Sequence, residues 1–128
     1  MTSSLISRAS AVLLAAAGLP LLFAPDVVLP WVLPGFPVAS SWLGQLIAAG
    51  WLSVALFNWN SRETVLGGIY GRPAVNLNLM LYVVSALAVL KVRDATPVTR
   101  GIAVPFLAMA AVYGLLLFRG PLDRPAVG

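Results

Sequence analysis

Where this chain lacks charge constrains its fold more than any other feature. Residues 9–25, 27–61, 73–90 and 101–118 contain no Asp, Glu, Lys or Arg. The hydrocarbon core of a bilayer takes about 20 consecutive apolar residues in helical form. Each stretch holds one crossing, and the long second stretch also holds a connection. The spacing predicts helices near 5–24, 40–60, 73–92 and 99–119.

Composition removes the alternatives. Only 9% of the 128 residues are charged, and 60% are hydrophobic. An ordinary soluble domain is about a quarter charged. A short chain has a high ratio of surface to volume, so a soluble fold would leave broad apolar areas in water. A soluble enzyme, a disordered tail and a nucleic-acid-binding domain are thereby excluded. Backbone groups in lipid must be bonded within a helix or around a closed barrel. A barrel needs alternating segments of about ten residues, and Ala-Val-Leu-Leu-Ala-Ala-Ala at 11–17 does not alternate. The expected fold is all-α: an integral membrane four-helix bundle forming a single transmembrane domain over 1–128.

The first segment resembles an export signal, with Arg8 ahead of an apolar run from Ala9 to Phe23. Its cleavage site is poor, because Pro25 follows Ala24. It reads as an uncleaved anchor. Pro20, Pro25, Pro30, Pro34 and Pro37 then punctuate a stretch rich in Val, Leu, Trp and Phe. Proline breaks a long helix, and the apolar residues resist full exposure to water. A Pro-rich interfacial loop between the first two spans is expected, capping one end of the bundle, with a re-entrant half-span as the other geometry. Trp31 and Trp42 would lie at headgroup depth, where indoles are favoured.

Bases in short loops set orientation. The N-terminus, the 61–72 loop and the C-terminus carry Arg8, Arg62, Arg72, Arg119 and Arg124. The opposite side has Lys91, Arg93 and Arg100, and no base in its proline-rich loop. This bias puts both termini in the cytoplasm and the protein in a bacterial inner membrane. The net charge of +4 is spread over span ends, which fits anionic headgroups and not nucleic acid.

Several chemistries are missing. The chain has no Cys and no His. Those residues are the usual ligands of zinc, haem and iron–sulfur centres, so no metal site is expected. Thiol redox chemistry and His-based acid–base catalysis are excluded. The acids are Asp26, Glu63, Asp94 and Asp123, none near the middle of a span. A proton-coupled exporter would need a carboxylate there. No catalytic residue and no resident cofactor are predicted, although a quinone, carotenoid or lipid needs no His ligand and stays open.

Amides and hydroxyls remain. Asn58, Asn60, Arg62, Arg72, Asn76, Asn78 and Tyr82 fall where the second span ends and the third begins. They should gather near one membrane face. Asn78, Tyr82 and Ser85 are spaced i, i+4, i+7 and share one helix face. Gly44, Ala48, Trp51, Ala55 and Asn58 line one face of the second span, where small residues let backbones approach. Ala110 and Gly114 offer a similar pair in the fourth span, which Pro105 should kink. The polar cluster has two readings: interhelical hydrogen bonds with headgroup contacts, or a small pocket for a lipid or quinone headgroup or a partner subunit. Gly67-Gly68-Ile69-Tyr70-Gly71-Arg72-Pro73 fits no phosphate-loop signature. It reads as a tight turn, with Pro73 in the first turn of the next helix and Arg72 able to meet a lipid phosphate.

Leu-Phe-Ala-Pro-Asp-Val-Val-Leu-Pro at 22–30 and the run Asn58-Trp59…Arg62…Gly68-Ile69-Tyr70-Gly71-Arg72-Pro73…Asn76 resemble small bacterial four-helix membrane proteins, loosely DoxX-like. The resemblance covers about residues 20–90 and implies a four-span fold. It brings no established catalytic residues. It implies a redox-linked role, and the absence of cysteine argues against a thiol version of that role. Three functions follow, in this order: a structural or accessory subunit of a larger membrane complex, a quinone- or lipid-binding protein, and a small-solute carrier. The partners expected are membrane lipids and either other membrane subunits or further copies of the chain.

Overall fold

The computed structural model describes residues 2–123. Its helices are α1 (Thr2–Phe23), α2 (Pro25–Val32), α3 (Trp42–Asn60), α4 (Arg72–Leu90) and α5 (Pro97–Arg119), with a 3-10 turn at Val38–Ser40. Among the described residues there is no strand. Four helical stretches are long and apolar enough to cross a membrane: Thr2–Phe23, Val38–Asn60, Arg72–Leu90 and Pro97–Arg119. The shortest has 19 residues, which is about 28 Å at a rise of 1.5 Å per residue, near the thickness of a hydrocarbon core.

Charged residues stand at or near the ends of the long helices. Arg72 opens α4, Lys91 follows it, and Arg119 closes α5. Arg124, counted among the end-marking bases, lies outside the described residues. Caps reinforce two boundaries. Thr96 precedes α5, and its side-chain oxygen accepts from the Thr99 N–H at 3.3 Å. Gly120 ends α5 at φ 82°, a left-handed conformation suited to glycine.

The connection after α1 differs from the expected loop. Residues 25–32 form helix α2. Pro25 sits in its first turn, where an N–H would lack an intrahelical partner anyway. Pro30 removes only one bond from an eight-residue helix. Pro25 and Leu29 are buried, while Val27 and Trp31 face outward. Pro20 and Pro105 likewise lie inside α1 and α5 without ending them.

The long helices pack as two pairs, α1 with α3 and α4 with α5. Small residues bring α1 against α3. A Cβ on Gly18 would lie 3.0 Å from the Leu52 side chain, and Ala48 is fully buried. The residues expected to line one face of this helix do so: Gly44, Ala48, Ala55 and Asn58 are its buried set, with Trp51 half-buried between them. Large side chains join the two pairs. The Trp51 ring lies 5.3 Å from Phe106, Phe106 lies 5.5 Å from Tyr82, and Tyr82 stacks on Tyr113 at 5.9 Å.

Each end of the bundle is tied by hydrogen bonds. At one end the Ser3 N–H and hydroxyl donate to the Asp123 carboxylate, and the Leu66 N–H donates to Ser3 Oγ at 2.9 Å. The start of α1, the 61–71 loop and the C-terminal strap therefore share one end. The Ser3 hydroxyl holds the Asp123 carboxyl below the usual carboxylate range; desolvation opposes it, and the backbone N–H groups of Ser3 and Thr2 add to the lowering. At the opposite end the Thr99 hydroxyl donates to the Val32 carbonyl at 2.8 Å, linking α5 to α2.

Candidate functional site

The polar interior is a four-residue knot drawn from three helices. Asn58 of α3 directs its two amide N–H groups to Ser10 Oγ at 2.9 Å and Asn78 Oδ1 at 2.7 Å. Asn78 of α4 directs its own to Asn58 Oδ1 at 2.7 Å and the Ala74 carbonyl at 2.9 Å. The Ser10 hydroxyl donates to Asn78 Oδ1 at 3.1 Å. With that proton committed, the Tyr82 hydroxyl donates to Ser10 Oγ at 2.6 Å. All four side chains are at most 1% exposed.

The arithmetic of this knot matters. An asparagine has two donors, and a hydroxyl has one. Each of these donors is spent on a protein acceptor. Asn78 Oδ1 also receives two hydrogens, which fills its lone pairs. The knot is neutral, and each of its side-chain donors is met within the protein. It joins α1, α3 and α4, and it has no donor left for a ligand.

The sequence cluster divides accordingly. Asn58, Asn78 and Tyr82 come together, whereas Asn60, Arg72 and Asn76 are exposed. The reason is helical rotation. Two residues of separation turn a helix by about 200°, so Asn60 and Asn76 point away from the faces that carry Asn58 and Asn78. Arg62 lies at the surface, donating to the Trp59 carbonyl at 2.7 Å with its guanidinium 5.2 Å from the Trp59 ring. Its neighbour Glu63 stands 3.7 Å from Arg62 and 3.8 Å from Arg8. Such exposed pairs contribute little.

One member of the knot, Ser10, went unread in the sequence, although the signal for it was present. Ser3, Ser7 and Ser10 fall at i, i+4, i+7 on the face that continues through Leu14, Gly18 and Leu21, and all are buried in α1. Outside the knot, Tyr113 is fully buried beside Tyr82, and its hydroxyl has no partner among the described residues.

Beyond the aromatic layer the interior turns apolar. A cavity of about 330 Å³ lies between the helix pairs, with walls from all five helices. Leu29 of α2, Trp51 and Phe106 line it, together with Ser85 and Ala88 of α4 and Ile102 of α5. Ser85 supplies the one hydroxyl in its lining, and the Trp51 indole N–H is the other side-chain polar group. Ile47 of α3 and Val84 of α4 line it and are both exposed. The cavity therefore opens sideways between α3 and α4.

No protein-family model, curated protein or solved structure matches this chain.

Proposed function

We propose that this chain is a membrane-embedded accessory subunit that acts by association and carries out no chemistry of its own. The closed polar knot supports this reading. A reaction or a solute path needs groups free to bind, titrate or rehydrate, and the interior amides and hydroxyls of Ser10, Asn58, Asn78 and Tyr82 are committed to one another. Buried networks of this kind fix which helix faces meet. The proposal includes a bacterial cytoplasmic membrane with both termini on the cytoplasmic side. The contacts among Ser3, Leu66 and Asp123 support termini that share a side. Tagged protein purified from its native membrane in mild detergent should bring down a membrane protein partner in fixed ratio. A monodisperse protein without partners would overturn the accessory role.

The cavity favours a second reading, in which the protein binds an apolar ligand such as a lipid or quinone tail. Its volume falls near the lower end of the range for small-molecule pockets, about 300–1,000 Å³, and its lining is almost wholly hydrocarbon. A redox-linked, DoxX-like role would act through such a ligand, since the chain has no thiol. Lipid and quinone extracted from the purified protein would test this. Recovery of neither would count against it.

A further inference from the structure

We infer that the cavity receives one hydrocarbon chain of an anionic membrane lipid, whose headgroup rests among Lys91, Arg93 and Arg100. The inference rests on the apolar-ligand reading and adds the occupant and its direction. The cavity lies toward the end of the bundle that carries these bases. Ala88 and Val89 line it from the last turn of α4, and Ile102 lines it from the first turns of α5. Lys91 and Arg93 follow α4 directly, and Arg100 lies in the first turn of α5 at the same end of the bundle.

All three bases are exposed, and none forms an ion pair among the described residues. The acids at this end, Asp26 and Asp94, are fewer and are likewise exposed. Basic groups beside a gap between transmembrane helices attract anionic headgroups. The direction of the lipid follows from solvation. A buried polar headgroup needs hydrogen-bond partners, and the cavity offers only the Ser85 hydroxyl and the Trp51 indole N–H. The chain therefore enters through the opening between α3 and α4, and the head stays outside. A quinone ring would bring two carbonyls into this donor-poor lining, which makes it a worse fit than an alkyl chain.

Trp51 reports on the site because it lines the cavity. Full-length protein carrying Trp31→Phe, Trp42→Phe and Trp59→Phe keeps Trp51 as its one indole. It is reconstituted in phosphatidylcholine vesicles containing a minor fraction of either brominated phosphatidylglycerol or brominated phosphatidylcholine. Bromine on the acyl chain quenches tryptophan on contact. The expected result is several-fold stronger quenching by the brominated anionic lipid. Ala88→Phe, which fills the cavity, should abolish the excess, and Arg93→Gln with Arg100→Gln should erase the anionic preference. Ala17→Leu fills the same cavity from α1 and serves if Ala88→Phe loses helicity by circular dichroism. Equal quenching by the two lipids, lowered alike by a filling variant, would overturn the anionic-lipid inference and leave the apolar-ligand reading standing. Quenching that neither filling variant changes would overturn both.

Discussion

Asn58 and Asn78 hold each other through a reciprocal pair of amide hydrogen bonds, each 2.7 Å long. The pair bolts α3 to α4, and Ser10 extends it to α1. Truncating one partner strands the other's donors in an apolar interior. Asn58→Leu and Asn78→Leu should each destabilise the bundle by about 1–3 kcal/mol, the cost of a buried unsatisfied polar group. The double variant should lose less than the sum. Its coupling energy should be about 0.6–2 kcal/mol, as for interhelical hydrogen bonds in membranes. Reversible unfolding in mixed detergent micelles measures all four corners of that cycle.

The two stacked tyrosines should behave differently. Tyr82 donates to Ser10 Oγ, while the Tyr113 hydroxyl is buried without a partner among the described residues. Tyr82→Phe removes a made bond and should cost about 0.5–1.5 kcal/mol. Tyr113→Phe removes an unsatisfied hydroxyl and should be neutral or stabilising. Comparing the unfolding midpoints of the two variants checks the difference, and equal losses would contradict it.

Gly67 is fixed both by its backbone and by its neighbour. Its φ is +90°, and a Cβ there would lie 2.6 Å from the Pro121 nitrogen. Gly67→Ala should strain the loop and push the C-terminal strap away, at a cost of about 1–3 kcal/mol. Gly50 meets nothing within 4 Å, so Gly50→Ala should be tolerated. Hydrogen exchange at the Leu66 amide should quicken in the first variant and not in the second.

The strap contact should also depend on pH. The Ser3 hydroxyl lowers the Asp123 carboxyl below its ordinary value of 3.8. A group whose folded pKa is depressed adds stability above its unfolded value and loses it as pH falls through the folded one. The Ser3–Asp123 contact should therefore be intact at neutral pH and open only below the ordinary aspartate range. The Leu66 amide chemical shift, read through Ser3 Oγ, should titrate there, and Asp123→Asn should abolish that step.

The four long helices were legible in the sequence because each contains a charge-free apolar run, with Arg72, Lys91 and Arg119 at their ends. The pairing of Asn58 with Asn78 was legible to the level of a shared depth. Which face each side chain takes was not, as exposed Asn60 and Asn76 show. A helix apolar all round has no amphipathic stripe to fix its rotation. Small residues and buried hydroxyls fix it instead, and the Ser3-Ser7-Ser10 spacing carried that information in α1. Helix α2 was hidden by its prolines, one of which sits in the turn that tolerates it best. The cavity had no sequence signature, because it is a gap between helix pairs made by residues far apart in the chain.

Every functional reading above depends on four membrane crossings. The chain has no native cysteine, so single substitutions report topology without background. Tyr70→Cys and Leu122→Cys probe the end that holds Ser3 and Asp123, while Val38→Cys and Arg93→Cys probe the opposite end, and all four native residues are exposed. In sealed vesicles of uniform orientation, a membrane-impermeant maleimide should label the first two from one side and the last two only from the other. Labelling of Tyr70→Cys and Arg93→Cys from the same side would contradict the four-span bundle.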